Sequence, residues 1–369
     1  VAESSQENQL NKDTTTLKEA PFLALKGFLM GSADIVPGVS GGTMALIVGI
    51  YERLLNAIKS VDVEFIKNFF TLKWKKAFTH LHLFFLGVLF FGIFSALAFF
   101  TKVVPLQIYM FTHPEIVYGL FFGLIVGSIY ILIKTLDGFG MKEIISLIAG
   151  VGFGLWVVNL VPADTPEHPL FVLLSGSIAI CAMILPGISG SYLLLIMRKY
   201  DYLLSHIGMI GGEDTMEGIT GLIPFMIGAA LGLALFSRFL SWLLARYHAQ
   251  TIAVLIGFLI GSLFVIWPFQ HREFVEQVRE TEVVSLDDPS VEELKNNPNE
   301  NLPEFERLGS EIEGQGIEIR TIKKKLIHSE PYIPGSIAST GEDSPNVWGG
   351  IIGMLIGVVM VVGIERLRE

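Results

Sequence analysis

Seven stretches of the chain carry no Asp, Glu, Lys or Arg: residues 83–100, 116–133, 144–163, 168–197, 218–237, 249–270 and 344–364, each 18 to 30 residues long. A helix rising 1.5 Å per residue needs about 20 mainly apolar residues to cross a bilayer core. Seven such runs predict a polytopic membrane protein made of α-helices. Residues 1–20 are polar and read as a disordered tail, without the basic-then-apolar order of a signal peptide. A second polar block covers 270–345, after which the apolar pattern resumes at 346–369.

The pattern repeats. Residues 35–58, IVPGVSGGTMALIVGIYERLLNAI, align without a gap on 184–207, ILPGISGSYLLLIMRKYDYLLSHI, with 11 of 24 positions identical at an offset of 149. Downstream, GLIVGSIYIL at 123–132 matches GFLIGSLFVI at 257–266, and Gly150 and Gly154 match Gly353 and Gly357. Each half is therefore a Pro-Gly segment followed by three spanning helices. The expected organisation is a first membrane repeat at 21–163 and a second beginning at 164–269. The second is interrupted by an extracytoplasmic insertion at 270–345 and completed by the last helix at 346–369.

Proline and glycine in mid-segment break the helical ladder, and the freed backbone groups need protein or water as partners. In the second copy 17 apolar residues precede the break (169–185) and seven follow it (191–197) before Arg198 and Lys199. Those lengths suit a re-entrant broken helix better than two full spans. Each half then crosses three times, and an odd count makes the halves inverted repeats. Loop charge orients them. With the N-terminus cytoplasmic, the inside segments hold 14 Lys and Arg, and the short outside loops hold only Lys102, Arg198 and Lys199.

Composition sharpens this picture. Hydrophobic residues are 51% and charged residues only 17%, below the quarter usual for soluble domains. Of the net charge of −10, the 270–345 block carries −9 and the remainder −1, so no basic face offers itself to nucleic acid. The single cysteine, Cys181, builds neither a disulfide nor a metal cluster. No metal site or cofactor is expected.

The duplicated break is the candidate site. Helix N-termini attract anions, and glycines let an oxygen approach their amides. Gly38, Ser40, Gly41, Gly42 and Thr43 in the first copy, with Gly187, Ser189, Gly190 and Ser191 in the second, are the residues expected to hold a phosphate. The competing reading is a packing turn whose serines bond their own backbone. Asp34, three residues before Pro37, is either a carrier of a coupling proton or a helix cap. Glu52 is a second candidate for proton coupling. Arg53 and Lys199 stand where the motifs leave the membrane and could meet a phosphate or anchor at the interface. Arg238 either faces the cavity or snorkels. The G-x-S-x-G at 38–42 lacks the strand-turn-helix of a nucleophile elbow, and the second copy breaks it. No acid–base pair for hydrolysis is evident, so an enzyme is not expected.

The stretches ADIVPGVSGGTMALIVGIYERL (33–54) and LPGISGSYLLLIMRKY (185–200) resemble the paired signatures of the polyprenyl-phosphate transporter family, over essentially the whole membrane part. The resemblance implies an undecaprenyl phosphate translocase in the cytoplasmic membrane. Such a flippase returns the carrier lipid from the outer to the inner leaflet for cell-wall polymer synthesis. It places function on Asp34, Pro37, Gly38, Ser40, Gly41, Gly42, Thr43, Glu52 and Arg53, and on Pro186, Gly187, Ser189, Gly190, Ser191 and Lys199. Arg198 departs from the family pattern, which has a small residue there, and the insertion is longer than in compact relatives. Expected partners are the lipid, the bilayer and, as an open alternative, a second copy of the chain. The other functional reading is a secondary transporter of a small anion using the same midplane site.

Overall fold

The uncharged runs are helical in the computed structural model, which describes residues 15–36, 40–136, 138–163, 165–286, 288–296, 300, 302–312, 316–335 and 345–366. In chain order the elements begin with α1 (Ala20–Asp34), α2 (Gly41–Ile47), α3 (Tyr51–Lys59), α4 (Val63–Phe70), α5 (Trp74–His80) and α6 (Leu83–Lys102). Next come α7 (Leu106–Thr112), α8 (Pro114–Lys134), α9 (Met141–Val158), α10 (Pro169–Ile184), α11 (Gly190–Ile196) and α12 (Lys199–Gly208). The rest are α13 (Thr215–Arg246), α14 (His248–Ile266), β1 (Gln270–Val284), α15 (Pro289–Asn296), β2 (Glu304–Ile312), β3 (Gly316–Pro331) and α16 (Val347–Arg366).

Five helices, α6, α8, α9, α13 and α14, are long and apolar enough to cross a membrane; α10 and the Val347–Gly363 part of α16 are apolar but shorter. The chain is a multi-pass membrane protein. Basic residues sit in the last turns of four of these helices, Lys102 in α6, Lys134 in α8, Arg246 in α13 and Arg366 in α16. There a cation complements the helix dipole and reaches the interface. At 32 residues α13 is the longest described helix, about 48 Å at 1.5 Å per residue, and it accommodates Pro224 inside.

The sequence repeat is also a repeat of element boundaries. Helices α1 and α10 start at Ala20 and Pro169, and α2 and α11 at Gly41 and Gly190, both 149 residues apart. The left-handed residue after each short helix keeps the same offset: Gly49 at φ 68° and Arg198 at φ 49°. Arg198 thus occupies a backbone conformation that favours glycine, the residue its counterpart Gly49 supplies.

Two compact units are present. The larger comprises Val1–Phe100, Leu124–Ile266 and Gly357–Glu369. Small residues set its helix contacts. Gly27, Gly31 and Gly92 bring α1 and α6 together, and Gly176, Gly228 and Gly232 do the same for α10 and α13. Gly150, Gly154, Gly257 and Gly261 join α9 to α14. On α8, Gly127 faces Val358 and Val361 of α16. Under the sequence repeat, α1 with α6 is the counterpart of α10 with α13. Likewise α9 with α14 is the counterpart of α16 with α8. The packing partners therefore follow the same duplication as the sequence.

The second unit comprises Thr101–Gly123 and Trp267–Ile356. It corrects the all-α expectation, because the insertion contains a three-stranded antiparallel sheet in the order β1-β3-β2. In β3, Ile317 and Ile319 alternate with Glu318 and Arg320; both isoleucines are buried with Val291 of α15. Strand β1 is exposed along most of its length, so it shows little of the half-buried alternation that marks a strand in sequence. The sheet also packs on the α6–α8 connection. Phe274 meets Phe111 of α7 at 4.6 Å, and the Arg272 guanidinium lies 4.4 Å from the Tyr118 ring centroid. Of the expected N-terminal tail, residues 1–14 lie outside the described residues, whereas Thr15 and Glu19 contact Arg53.

A β-carbon at Gly257 would sit 2.5 Å from the Leu147 carbonyl oxygen, whereas one at Gly152 would meet nothing within 4 Å. Gly257→Val is expected to destabilise the purified protein by roughly 1–3 kcal/mol through overpacking. Gly152→Val, on the partner helix, should leave the thermal midpoint nearly unchanged. Equal midpoints for the two variants would remove the close contact from the account.

Candidate functional site

The two helix breaks lie against each other. The first separates α1 from α2. Its Pro37 and Gly38, with Val39, lie outside the described residues, but both flanks are defined. Ser40 is extended (φ −121°, ψ 138°) and caps α2, its Oγ accepting the Gly42 N–H at 3.2 Å. The carboxylate of Asp34 accepts the Gly41 N–H at 2.6 Å. The second break separates α10 from α11. Ser189 caps α11, its Oγ accepting the Tyr192 N–H at 3.4 Å and lying 2.9 Å from the Ser191 hydroxyl.

Three hydrogen bonds join the breaks. The Gly187 N–H donates to Thr43 Oγ1 at 2.8 Å, the Tyr51 hydroxyl donates to the Ile184 carbonyl at 3.0 Å, and Ser40 Oγ donates to the Met183 carbonyl at 3.3 Å. Proximity depends on glycine at two points. A β-carbon at Gly42 would sit 2.7 Å from the Met183 carbonyl oxygen. Gly187 has φ 82°, and a β-carbon there would lie 2.6 Å from the Phe258 carbonyl oxygen of α14. Carbonyls and amides released by a break find no water in an apolar medium, so each break supplies donors or acceptors to the other.

The candidate residues divide by role. Ser40 and Thr43 are buried and serve the contact between breaks. The amides of Gly41 and Gly42 already have acceptors inside the protein, which favours the capping reading of Asp34. The second copy differs at that point: Met183 stands 149 residues after Asp34, and its side chain rather than a carboxylate lies beside Gly190. Ser189 is half-buried and Ser191 exposed, so the hydroxyls of the second break remain open to an incoming group.

Lys199 is 2% exposed, and its ammonium donates to the Thr165 carbonyl at 2.9 Å. Arg53 pairs with Glu19 at 3.7 Å, bonds Thr15 and lies 4.6 Å from the Phe85 ring centroid. Arg238 donates to the carbonyls of Ala234 at 2.6 Å and Val61 at 3.1 Å. The contacts described for these three charged ends lie on residues other than those of the breaks. Glu52 faces His248 at 3.3 Å.

Sequence reasoning missed Tyr51 and Tyr192. Tyr51 is one of the identical positions of the repeat and is 3% exposed, and its hydroxyl bridges to the opposite break. Tyr192 takes the place of Thr43 in the second copy and donates to the Val158 carbonyl at 2.8 Å. A tyrosine kept at one offset inside an apolar segment was the available signal, because a buried hydroxyl needs a partner.

Replacing Thr43 by Val removes the only acceptor described for the Gly187 N–H. An unsatisfied buried donor costs about 1–3 kcal/mol, so Thr43→Val should lower thermal stability while Thr43→Ser largely retains it. Indistinguishable unfolding midpoints for parent, serine and valine proteins would show that the bond contributes nothing.

Comparison with known proteins bears on this arrangement. The family described as VCA0040-like: Undecaprenyl phosphate translocase-like matches residues 30–284, which include both breaks. A polyprenyl-phosphate transporter of Vibrio cholerae is 39% identical over 247 residues, covering 67% of this chain and 77% of that protein. A polyprenyl-phosphate transporter of Staphylococcus aureus is 30% identical over 257 residues, covering 66% of this chain and 85% of that protein. No solved structure matches the chain. With two facing helix breaks inside the matched region, the chain belongs to the undecaprenyl phosphate translocase-like family, a family of transporters and not of enzymes.

Proposed function

We propose that the protein carries a polyprenyl phosphate, undecaprenyl phosphate in the first instance, across the cytoplasmic membrane from the outer to the inner leaflet for reuse in cell-wall polymer synthesis. The observation that carries this reading is the pair of facing breaks in a chain whose relatives are polyprenyl-phosphate transporters. The phosphate head passes at the breaks, while the chain's many lipid-facing apolar side chains leave the isoprenoid tail in the bilayer. Ser189 and Ser191 are the first hydroxyls it meets. Gly41, Gly42, Thr43, Gly187 and Gly190 shape the path, and the positive charge of Arg53, Lys199 and Arg238 attracts the anion from a distance.

In this reading each break is re-entrant and the halves are inverted. Hydrogen bonds at the two ends of α9 support that arrangement. At its N-terminal end, Glu143 accepts from Gln250 of α14 at 2.6 Å, and two residues before Gln250, His248 meets Glu52 just after the first break. At its C-terminal end, Val158 accepts from Tyr192, and the Ala163 N–H donates to the Ile196 carbonyl at 2.9 Å, just after the second break. The breaks thus open toward opposite ends of an 18-residue apolar helix. Lysine and arginine bias sets the first break's exit and the N-terminus in the cytoplasm. The contact of the sheet with α7 supports placing the insertion and the α6–α8 connection on one side, the outer one. Cysteines introduced, in a Cys181→Ser background, at Lys59 and at Gly208 should react with an impermeant reagent from opposite sides of sealed vesicles. Labelling from the same side would end the inverted model.

Binding gives the second test. Hydrogen bonds to a charged group contribute about 1.5–3 kcal/mol each, so Ser191→Ala should weaken polyprenyl-phosphate binding roughly 10- to 150-fold. Its exposed hydroxyl can be removed without disturbing the contact between breaks. Inorganic phosphate that binds as tightly as the lipid would favour a small-anion transporter instead. Asp34→Asn should keep the cap on Gly41, the binding of lipid and its uptake, because an amide oxygen can accept the Gly41 N–H as the carboxylate does. Loss of proton-coupled uptake in that variant would instead make Asp34 a proton carrier.

A further inference from the structure

Between α3 and the span α6 lies a helical hairpin, α4 and α5, that carriage of the lipid does not use. The Lys73 N–H closes its turn by bonding the Asn68 carbonyl at 2.9 Å, and Leu72 between them has φ 58°. Glycine is the usual occupant of the left-handed position in such a helix ending. Leucine is strained there, and this one points an apolar side chain outward: Leu72 is 70% exposed. Trp74 and Phe78 extend the apolar face, their rings 5.8 Å apart and both side chains exposed.

The chain itself fixes where this face must lie. Helix α5 ends at His80 and α6 begins its membrane run at Leu83, so at most about 10 Å of chain separates them. Leu83 and Phe84, at the start of that run, are likewise exposed, so the apolar surface continues from the hairpin onto the span. The charge is complementary to a lipid surface. Residues 59–80 hold five lysines against Asp62 and Glu64, in a chain whose net charge is −10. Apolar side chains rimmed by lysine are the composition of helices that lie in the headgroup layer, and anionic lipids attract such segments.

We propose that the α4–α5 hairpin is an interfacial anchor, which inserts Leu72 and its aromatic neighbours into the leaflet at the foot of α6 and holds anionic phospholipid headgroups with Lys67, Lys73 and Lys76. A solvated loop would keep neither a strained exposed leucine nor this charge bias. The anchor sets the depth of α3, and through it the exit of the first break, relative to the membrane surface.

The full chain, with Cys181→Ser and an environment-sensitive fluorophore on Leu72→Cys, is placed as single copies in nanodiscs. These contain phosphatidylcholine with or without phosphatidylglycerol, and doxyl-labelled lipid is the quencher. Phe70→Cys serves if the first variant does not elute as a monodisperse species. Blue-shifted emission quenched by doxyl lipid is expected, with deeper quenching when phosphatidylglycerol is present. Each lysine near an anionic surface contributes about fivefold to insertion, so Lys67→Gln, Lys73→Gln and Lys76→Gln together should erase the phosphatidylglycerol effect. Water-like emission in both lipids overturns the proposal. So does blue-shifted emission that doxyl lipid fails to quench, which would place the turn against protein. Quenching that is indifferent to phosphatidylglycerol or to the lysines overturns the assignment to an anionic surface.

Discussion

A polar backbone group stranded in an apolar medium must find a partner, and the architecture of this protein follows from how two broken helices meet that demand. In an apolar medium a carbonyl or amide left over from an interrupted ladder costs several kcal/mol. Here the second break lends an amide and two carbonyls, and the first answers with Thr43, Tyr51 and Ser40. Neither break is fully satisfied by its own half. The interrupted segments therefore hold the halves together, and the glycines at 42 and 187 are what allow the two backbones to come within bonding range.

Duplication has kept the backbone of the breaks and let the side chains diverge. The offset of 149 is preserved in helix starts, capping serines and left-handed turns. Against that common frame, Asp34 faces Met183, Thr43 faces Tyr192, and Arg53 faces Tyr202. The first copy thereby holds a carboxylate on its own helix terminus, while the second leaves hydroxyls exposed at the equivalent place. The two breaks thus differ chemically, one presenting hydroxyls and the other a carboxyl group already bonded to its own helix terminus.

Much of this was legible in the sequence. Uncharged runs, the ungapped repeat and the Pro-Gly pairs gave the helical spans and the breaks, because bilayer burial forces composition and backbone disruption needs specific residues. The sheet in the insertion was not legible from the same kind of signal. β1 is exposed on both faces, so its period is weak, and only Ile317 and Ile319 in β3 carry a short alternation. Charged candidates were harder still. Arg53, Arg238 and Lys199 were placed by their distance from a motif along the chain. Long side chains choose their partners in space, and these chose Glu19, Val61 and Thr165. The interlocking of the breaks was invisible because a repeat reveals equivalence and says nothing about contact.

The exchange of helix partners between halves has a consequence in time. Helix α9 rests on α14, and α8 on α16, so the described glycine contacts of these two helices lie in the other half, unlike those of α1 and α6. As the chain emerges, α8 and α9 must wait in the bilayer through the synthesis of the second break and two further spans. For α8 the wait lasts until the whole sheet-bearing insertion has also been made. Helix α16 thus closes the packing of α8. The packing of α8 is complete only when α16 has been made, and until then the Gly127 surface is held by lipid alone.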